Sequence, residues 1–287
     1  MNRRIFLGGM ALCALALAAG SQPAGVVVTY IANEGLLIEG AGKKILVDAL
    51  FRDDIGYAPP ATETLAQMEG AKPPFQDVSL VLATHFHRDH FNAPAVAAHL
   101  KANPRATFVS VQQAIEPLLK ELGEGSPERA RIRETTPEVH QKKRVTVDRI
   151  AVDAMRMRHG QTQNTSFLIH VGGKKILQLG DSDGEISNFD PFDLEKEKID
   201  VAFVPYWYLL YDEGIRVIKE QIAAKQVVAF HIPSDSAMTA GYAEGSNAAG
   251  VAKHMKNVGG QAGLRARFAA AMPEAKAAMR PGERWTF

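Results

Sequence analysis

The chain has almost no cysteine: there is one in 287 residues, Cys13, and it falls within the first twenty. A mature chain cut after that stretch has no disulfide and no thiolate ligand, which excludes a cross-linked scaffold and a cysteine-held metal. An excess of one charge is missing too. The formal net charge is +1, and without Arg3 and Arg4 the 33 basic residues become 31 against 32 acidic ones, a balance of −1. Such a chain has no electrostatic case for nucleic acid, and none is expected as a partner. The N-terminal apolar run is shorter than the ~20 residues that span a bilayer, which argues against a permanent transmembrane helix. The rest is ordinary globular composition, 46% apolar, with enough core for one large domain or two small ones. We read residues 25–287 as a single domain.

Residues 1–20 carry Arg3 and Arg4, then the apolar stretch from Ile5 to Ala19, then small residues suited to cleavage. That is the charge, length and tail of a signal peptide. Asn2-Arg3-Arg4-Ile5-Phe6-Leu7 resembles the twin-arginine export motif, although Asn2 stands where Ser or Thr is usual and Gly8 where Lys is common. The expectation is passage through the export machinery, by the twin-arginine or the general secretory route, and a periplasmic protein. Lipidation of Cys13 is the competing reading, but Met10-Ala11-Leu12 lacks the small residue expected beside a lipidated cysteine.

Histidine is concentrated. Of nine histidines, three fall in Thr84-His85-Phe86-His87-Arg88-Asp89-His90, directly after the apolar run Val78-Ser79-Leu80-Val81-Leu82-Ala83. In extended chain, residues two apart point the same way, so His85 and His87 can converge on one ion while Asp89 and His90 address a second. Further along, His159, Asp181 and His231 each close a β-rich apolar segment, the last after Gln226-Val227-Val228-Ala229-Phe230. Separate strands ending at separate ligands can bring them to one sheet edge.

This His-x-His-x-Asp-His run, with its downstream His, Asp and His, resembles the signature of the metallo-β-lactamase superfamily over most of the chain after residue 25. The resemblance implies an α/β fold, a four-layer αβ/βα sandwich of two related halves with the metal site at the sheet edge. It implies two divalent metal ions, with His85, His87 and His159 on the first, Asp89, His90 and His231 on the second, and Asp181 bridging. Carboxylates and imidazoles without thiolate suit Zn²⁺ and accommodate Fe or Mn. The activity implied is hydrolysis of a small-molecule substrate by a hydroxide between the metals, with Asp89 orienting it or shuttling a proton.

Asp181 bears on substrate class. True zinc β-lactamases of the superfamily lack a bridging aspartate there, so the chain is more similar to lactonase and phosphodiesterase branches, such as ascorbate-6-phosphate lactonase-like and N-acyl-phosphatidylethanolamine phospholipase D-like proteins. An ester, lactone or phosphodiester is the expected substrate. The alternatives are an iron oxidoreductase of the sulfur dioxygenase or flavodiiron kind, a true β-lactamase, or a non-catalytic metal-binding protein.

Leu36-Leu37-Ile38-Glu39-Gly40-Ala41-Gly42-Lys43-Lys44-Ile45-Leu46 aligns without a gap to Phe167-Leu168-Ile169-His170-Val171-Gly172-Gly173-Lys174-Lys175-Ile176-Leu177. Two copies of one hairpin suggest two related halves. Other strands are expected at 26–31, 107–110, 144–147, 150–157, 201–204 and 226–230, and helices at 94–102, 112–122, 214–224, 248–257 and 267–279. Residues 51–77, with Pro59, Pro60, Pro73 and Pro74, read as a long loop. Asp48 either orients the ligand loop or caps its strand, and Asn164 either polarises a substrate oxygen or caps a turn. Tyr206 and Tyr208 either face the substrate or pack the core. His99, His140, His170 and His254 read as ordinary surface or strand residues.

Overall fold

In the computed structural model residues 25–287 are described, so the segment expected to be a signal peptide, with Cys13, lies outside the described residues. Strands β1 (Val27–Ala32), β2 (Gly35–Gly40) and β3 (Lys43–Val47) form a meander whose apolar residues serve two interiors at once. Leu36, Ile38, Ile45 and Val47 face one cluster, and Leu37 and Leu46 the other. A strand covered on both faces must be apolar at nearly every position, which is why these segments read as continuous runs.

Strands β4 (Leu80–Leu82), β5 (Thr107–Ser110) and β6 (Ile132–Glu134) add in parallel beyond β3. The pattern then repeats. Strands β7 (Lys142–Val147), β8 (Ile150–Met157), β9 (Asn164–Val171) and β10 (Lys174–Gln178) are antiparallel neighbours. Strands β11 (Val201–Pro205), β12 (Val227–Phe230) and β13 (Lys276–Ala277) continue in parallel from β10. Each half is thus a run of antiparallel steps, two in the first half and three in the second, followed by three parallel ones, and the aligned Gly-Lys-Lys segments are the equivalent hairpins β2–β3 and β9–β10. The last strand, β14 (Arg284–Thr286), returns to the first sheet beside β1. The result is two seven-stranded mixed sheets.

Helices α1 (Thr62–Glu69), α2 (Ala93–Ala102) and α3 (Gln112–Leu122) cover the outer face of the first sheet, burying Met68, Val96, Leu100, Ile115 and Leu118 against Leu37, Leu46, Val81 and Phe108. Helices α4 (Ile186–Phe189), α5 (Asp212–Arg216), α6 (Asn247–Val258) and α7 (Gly260–Ala271) lie on the second-sheet side, where Phe189, Met255, Leu264 and Phe268 share a core with Leu168, Leu177 and Ala202. Between the sheets, Val28, Ile38 and Leu80 meet Val152, Phe167, Phe203 and Phe230. This is the four-layer αβ/βα sandwich.

Several expectations need correction. The loop at 51–77 contains α1, whose Leu65 and Met68 are spaced to face the core between two proline pairs. The helix placed at 267–279 stops at Ala271, because Pro273 cannot continue it, and Lys276 and Ala277 pair instead with Val228 and Ala229. The helix at 214–224 is a short α5 running into a wider-turned π segment, Val217–Ile222. His99 is fully buried on α2, its Nδ1 2.5 Å from the Met68 carbonyl, rather than on the surface.

Phe203 is fully buried where both sheets meet Trp285. Phe203→Ala should cost about 3–5 kcal/mol in denaturant unfolding, whereas the exposed Val139→Ala should stay within about 0.5 kcal/mol.

Candidate metal centre

Strands β1, β3, β8, β10 and β12 all run the same way within their sheets, so the residues after them collect at one edge. Asn33 and Glu34 follow β1, Asp48 follows β3, the His-x-His-x-Asp-His loop follows β4, His159 follows β8, Asp181 follows β10 and His231 follows β12. Binding at the carboxyl ends of sheet strands is general in α/β architecture.

There the candidate ligands fall into two groups around Asp181. His85, His87, His159 and Asp181 bring one donor atom each within 4.8 Å of one another, and so do Asp89, His90 and His231. Asp181 divides its oxygens between them. Its Oδ2 lies 3.7 Å from His85 Nε2 and 3.6 Å from His159 Nε2. Its Oδ1 lies 3.1 Å from His231 Nε2 and 3.4 Å from His90 Nε2. Asp89 Oδ2 completes the second group, 3.4 Å from His231 Nε2 and 3.5 Å from His90 Nε2.

The outward-facing atoms of these groups are held by neighbours. Thr84 donates its hydroxyl to Asp48 Oδ2 at 2.7 Å and its backbone N–H to Asp48 Oδ1 at 2.7 Å. The hydroxyl oxygen must therefore accept from His85 Nδ1, 3.0 Å away, which leaves the Nε2 lone pair facing the cluster. His90 Nδ1 meets Asp48 Oδ2 at 3.1 Å, and His87 Nε2 meets the Thr162 hydroxyl at 3.2 Å. Gln178 Nε2 donates to both Asp48 Oδ2 and Glu34 Oε2 at 3.0 Å. Asn164 accepts the Asp181 N–H on Oδ1 and donates Nδ2 to the Leu179 carbonyl, both at 3.2 Å. Tyr208 donates to the Ser182 carbonyl at 2.7 Å.

The electrostatics ask for positive charge. Burial pushes Asp89 and Asp181 up, but His90 and His231 outweigh it and hold both carboxyls well below the usual range. Burial pushes His231 down, yet Asp181 and Asp89 raise it to about 10, and they raise His90 likewise. His85 and His87 go the other way, lowered first by burial and then by neighbouring imidazoles, which keeps them neutral and free to donate lone pairs. Glu34 is raised well above the usual range by burial, against the pull of His90.

Two atoms test whether cations fit. Asp181 Oδ1 and His159 Nε2 are buried without a well-formed hydrogen bond. Facing ring nitrogens, His85 Nε2 with His87 Nδ1 at 3.0 Å and His90 Nε2 with His231 Nε2 at 3.2 Å, can share at most one proton each. Imidazole and carboxylate donors converging this way are the donor set of a divalent metal, so the residues fit.

Against this geometry, the sequence profile described as the Beta-lactamase superfamily domain matches residues 27–231. The chain belongs to the beta-lactamase superfamily. No curated protein matches it significantly. Among solved structures, Igni18, a metallo hydrolase from Ignicoccus hospitalis, is 17% identical with a TM-score of 0.59, covering 91% of this chain and 98% of its own. The metallo-beta-lactamase fold protein YhfI from Bacillus subtilis is 16% identical with a TM-score of 0.59, covering 91% and 99%. Isothiocyanate hydrolase from Delia radicum gut bacteria is 16% identical with a TM-score of 0.53, also covering 91% and 99%. At such identities the likeness is one of fold.

Within this superfamily member, Asp48 hydrogen-bonds Thr84 and His90 of the candidate ligand loop. Asn164 is fully buried and accepts the Asp181 backbone N–H. Among 206–208, Tyr208 anchors the loop after Asp181 and Tyr206 is buried, while the residue lining the cavity is Trp207. The 3₁₀ turn Tyr206–Leu210 sends neighbouring side chains in different directions, which strand-like counting cannot foresee. Glu34, Gln178, Thr162 and Tyr57 escaped sequence reading, although an acidic residue inside the tight Asn33-Glu34-Gly35 turn was a usable signal.

Gly180, at φ +59°, leaves no room for a side chain: a Cβ would lie 2.5 Å from Asn164 Oδ1 and 2.8 Å from Thr84 Cβ. Gly180→Ala should displace Asp181 and lower metal content in elemental analysis while the core holds, and Asp48→Ala should weaken metal affinity by about 10- to 100-fold, read by competition with a chelating dye.

Proposed function

We propose that this chain is an exported, dinuclear metal-dependent hydrolase, with His85, His87 and His159 holding one divalent ion, Asp89, His90 and His231 the other, and Asp181 shared. The observation that carries this reading is the division of the two Asp181 oxygens between the two imidazole groups. Zn²⁺ is the metal this donor set favours. When bound, such ions supply Lewis acidity, acidifying water and polarising a carbonyl or phosphoryl oxygen. The chain's own residues position and move protons. Asp89 lines the cavity, and Asn33 Nδ2 donates to its Oδ2 at 3.3 Å and to its carbonyl at 3.0 Å. So anchored, Asp89 can orient a water and receive its proton. The substrate class is a small ester, lactone or phosphodiester, in keeping with a lactonase or phosphodiesterase branch.

A thiolate-free His and Asp set also accepts iron, and the CmlA β-hydroxylase (E377D mutant) shares the fold at 15% identity with a TM-score of 0.52, over 54% of its own length. Elemental analysis separates the readings. About two zinc per chain, with hydrolysis abolished by a chelator and by Asp181→Ala or His85→Ala, is the expected result. Stoichiometric iron with visible absorption would replace hydrolysis with oxidation, and activity surviving chelation would remove the metal mechanism.

Export rests on the Arg3-Arg4 pair and the apolar segment that follows it. The mature protein should be recovered from the periplasm beginning near residue 21, and replacing both arginines by lysine should leave the full-length chain in the cytoplasm. Continued export of that variant would point to the general secretory route.

A further inference from the structure

The cavity over the metal centre has walls that say more about its substrate than the ligands do. It is a cleft of about 380 Å³, open to solvent on one side, at the small end of ligand cavities. Beyond the candidate ligands its lining is Ile55, Tyr57, Trp207 and Val251, with Ser246, Asn247 and Gly250 at the start of α6. Tyr57 and Trp207 both stand edge-on to the His231 ring, at 4.0 Å and 5.2 Å between centroids, so they flank the same imidazole. Val251 is held in the wall by Gly56, where a Cβ would come within 3.0 Å of it, and the Tyr242 hydroxyl clasps Asp54 at 2.9 Å beside that contact.

Among the described residues, no Lys or Arg lines this space. The two arginines adjacent to ligands are engaged elsewhere: Arg88 lies 3.8 Å from Asp53, and Arg158 reaches Ser187 at 2.7 Å and Glu185 at 3.5 Å. Ser246 is occupied as the helix cap, accepting from Ala249 N–H and donating to the Ala243 carbonyl. A substrate bearing an anionic group away from the metals would therefore meet no cationic side chain in this lining. An apolar group would instead bury area against two aromatic rings and two aliphatic side chains.

We infer that the substrate is a small uncharged ester or lactone whose compact apolar group, an aryl ring for preference, lies among Ile55, Tyr57, Trp207 and Val251. This rests on the hydrolase reading and takes its ester or lactone arm; a phosphodiester, whose charge sits on the reacting phosphoryl, is the competitor in the test. In the reaction the oxygen of water bonds to the acyl carbon and the acyl carbon–oxygen single bond breaks. The acid keeps the water oxygen, and the alcohol leaves with a proton.

The test compares kcat and KM of the metal-loaded protein on phenyl acetate, methyl acetate, 4-acetoxybenzoate and bis(4-nitrophenyl) phosphate. Phenyl acetate should exceed the two anionic compounds in kcat/KM by at least about tenfold. Trp207→Ala and Tyr57→Ala should raise its KM about tenfold with little change for methyl acetate, while Trp207→Phe and Tyr57→Phe keep it low and control for folding. Preference for either anionic compound, or an unchanged KM for phenyl acetate in both alanine variants, would overturn the inference. If none of the four is turned over, calorimetry decides with acetophenone against 4-acetylbenzoate. Selective binding of acetophenone, lost in Trp207→Ala, would uphold the pocket while sinking the hydrolase reading; no binding of acetophenone would sink the pocket.

Discussion

The arrangement depends on one carboxylate shared by two sets of imidazoles. Asp181 sits where both sheets end, one oxygen toward His85 and His159 and the other toward His90 and His231. Bringing so many ionisable groups out of water is expensive unless their charges are matched. Here the matching is uneven by design of the fold: neutral rings on one side, rings pulled positive by two carboxylates on the other. Everything behind the ligands, from Thr84 and Asp48 to Asn164 and Tyr208, serves to keep that carboxylate and those rings from relaxing.

The edge carries backbone strain as well as charge. Asn33, Asp48 and His231 are non-glycine residues with positive φ, at 50°, 44° and 55°. Each such residue costs on the order of 1–3 kcal/mol and persists only where surrounding packing over-determines it. The packing is present on both sides: Val47 before Asp48 and Phe230 before His231 are fully buried in the layer between the sheets. The His231 N–H is also held by the Asn33 carbonyl at 3.2 Å, which ties one half of the chain to the other across the centre. The stable core thus supports a strained rim.

The rim differs in chemistry from its floor. Ligand positions are polar and buried, while the wall above them is built by two segments distant in sequence, the 54–57 turn and the start of α6, meeting through Gly56 against Val251 and Tyr242 against Asp54. That wall bears on which molecules could use the centre, because it has apolar surface and, among the described residues, no Lys or Arg.

Much of this was legible in the sequence. The spacing of the candidate ligands, the strands that end at His159, Asp181 and His231, and the repeated Gly-Lys-Lys hairpin are local patterns, and local geometry follows from residue order: His85 and His87 converge on one group, and β-rich runs end in candidate ligands. Pro273 was equally readable as the end of α7. What only the tertiary structure decided are the contacts between residues far apart in the chain. Glu34 with Gln178, Asn164 with the Asp181 backbone, and Tyr57 with Trp207 around His231 depend on how two sheets pack and twist together. A strand records its two faces in its sequence, but it does not record which residue of the other half will stand opposite its end.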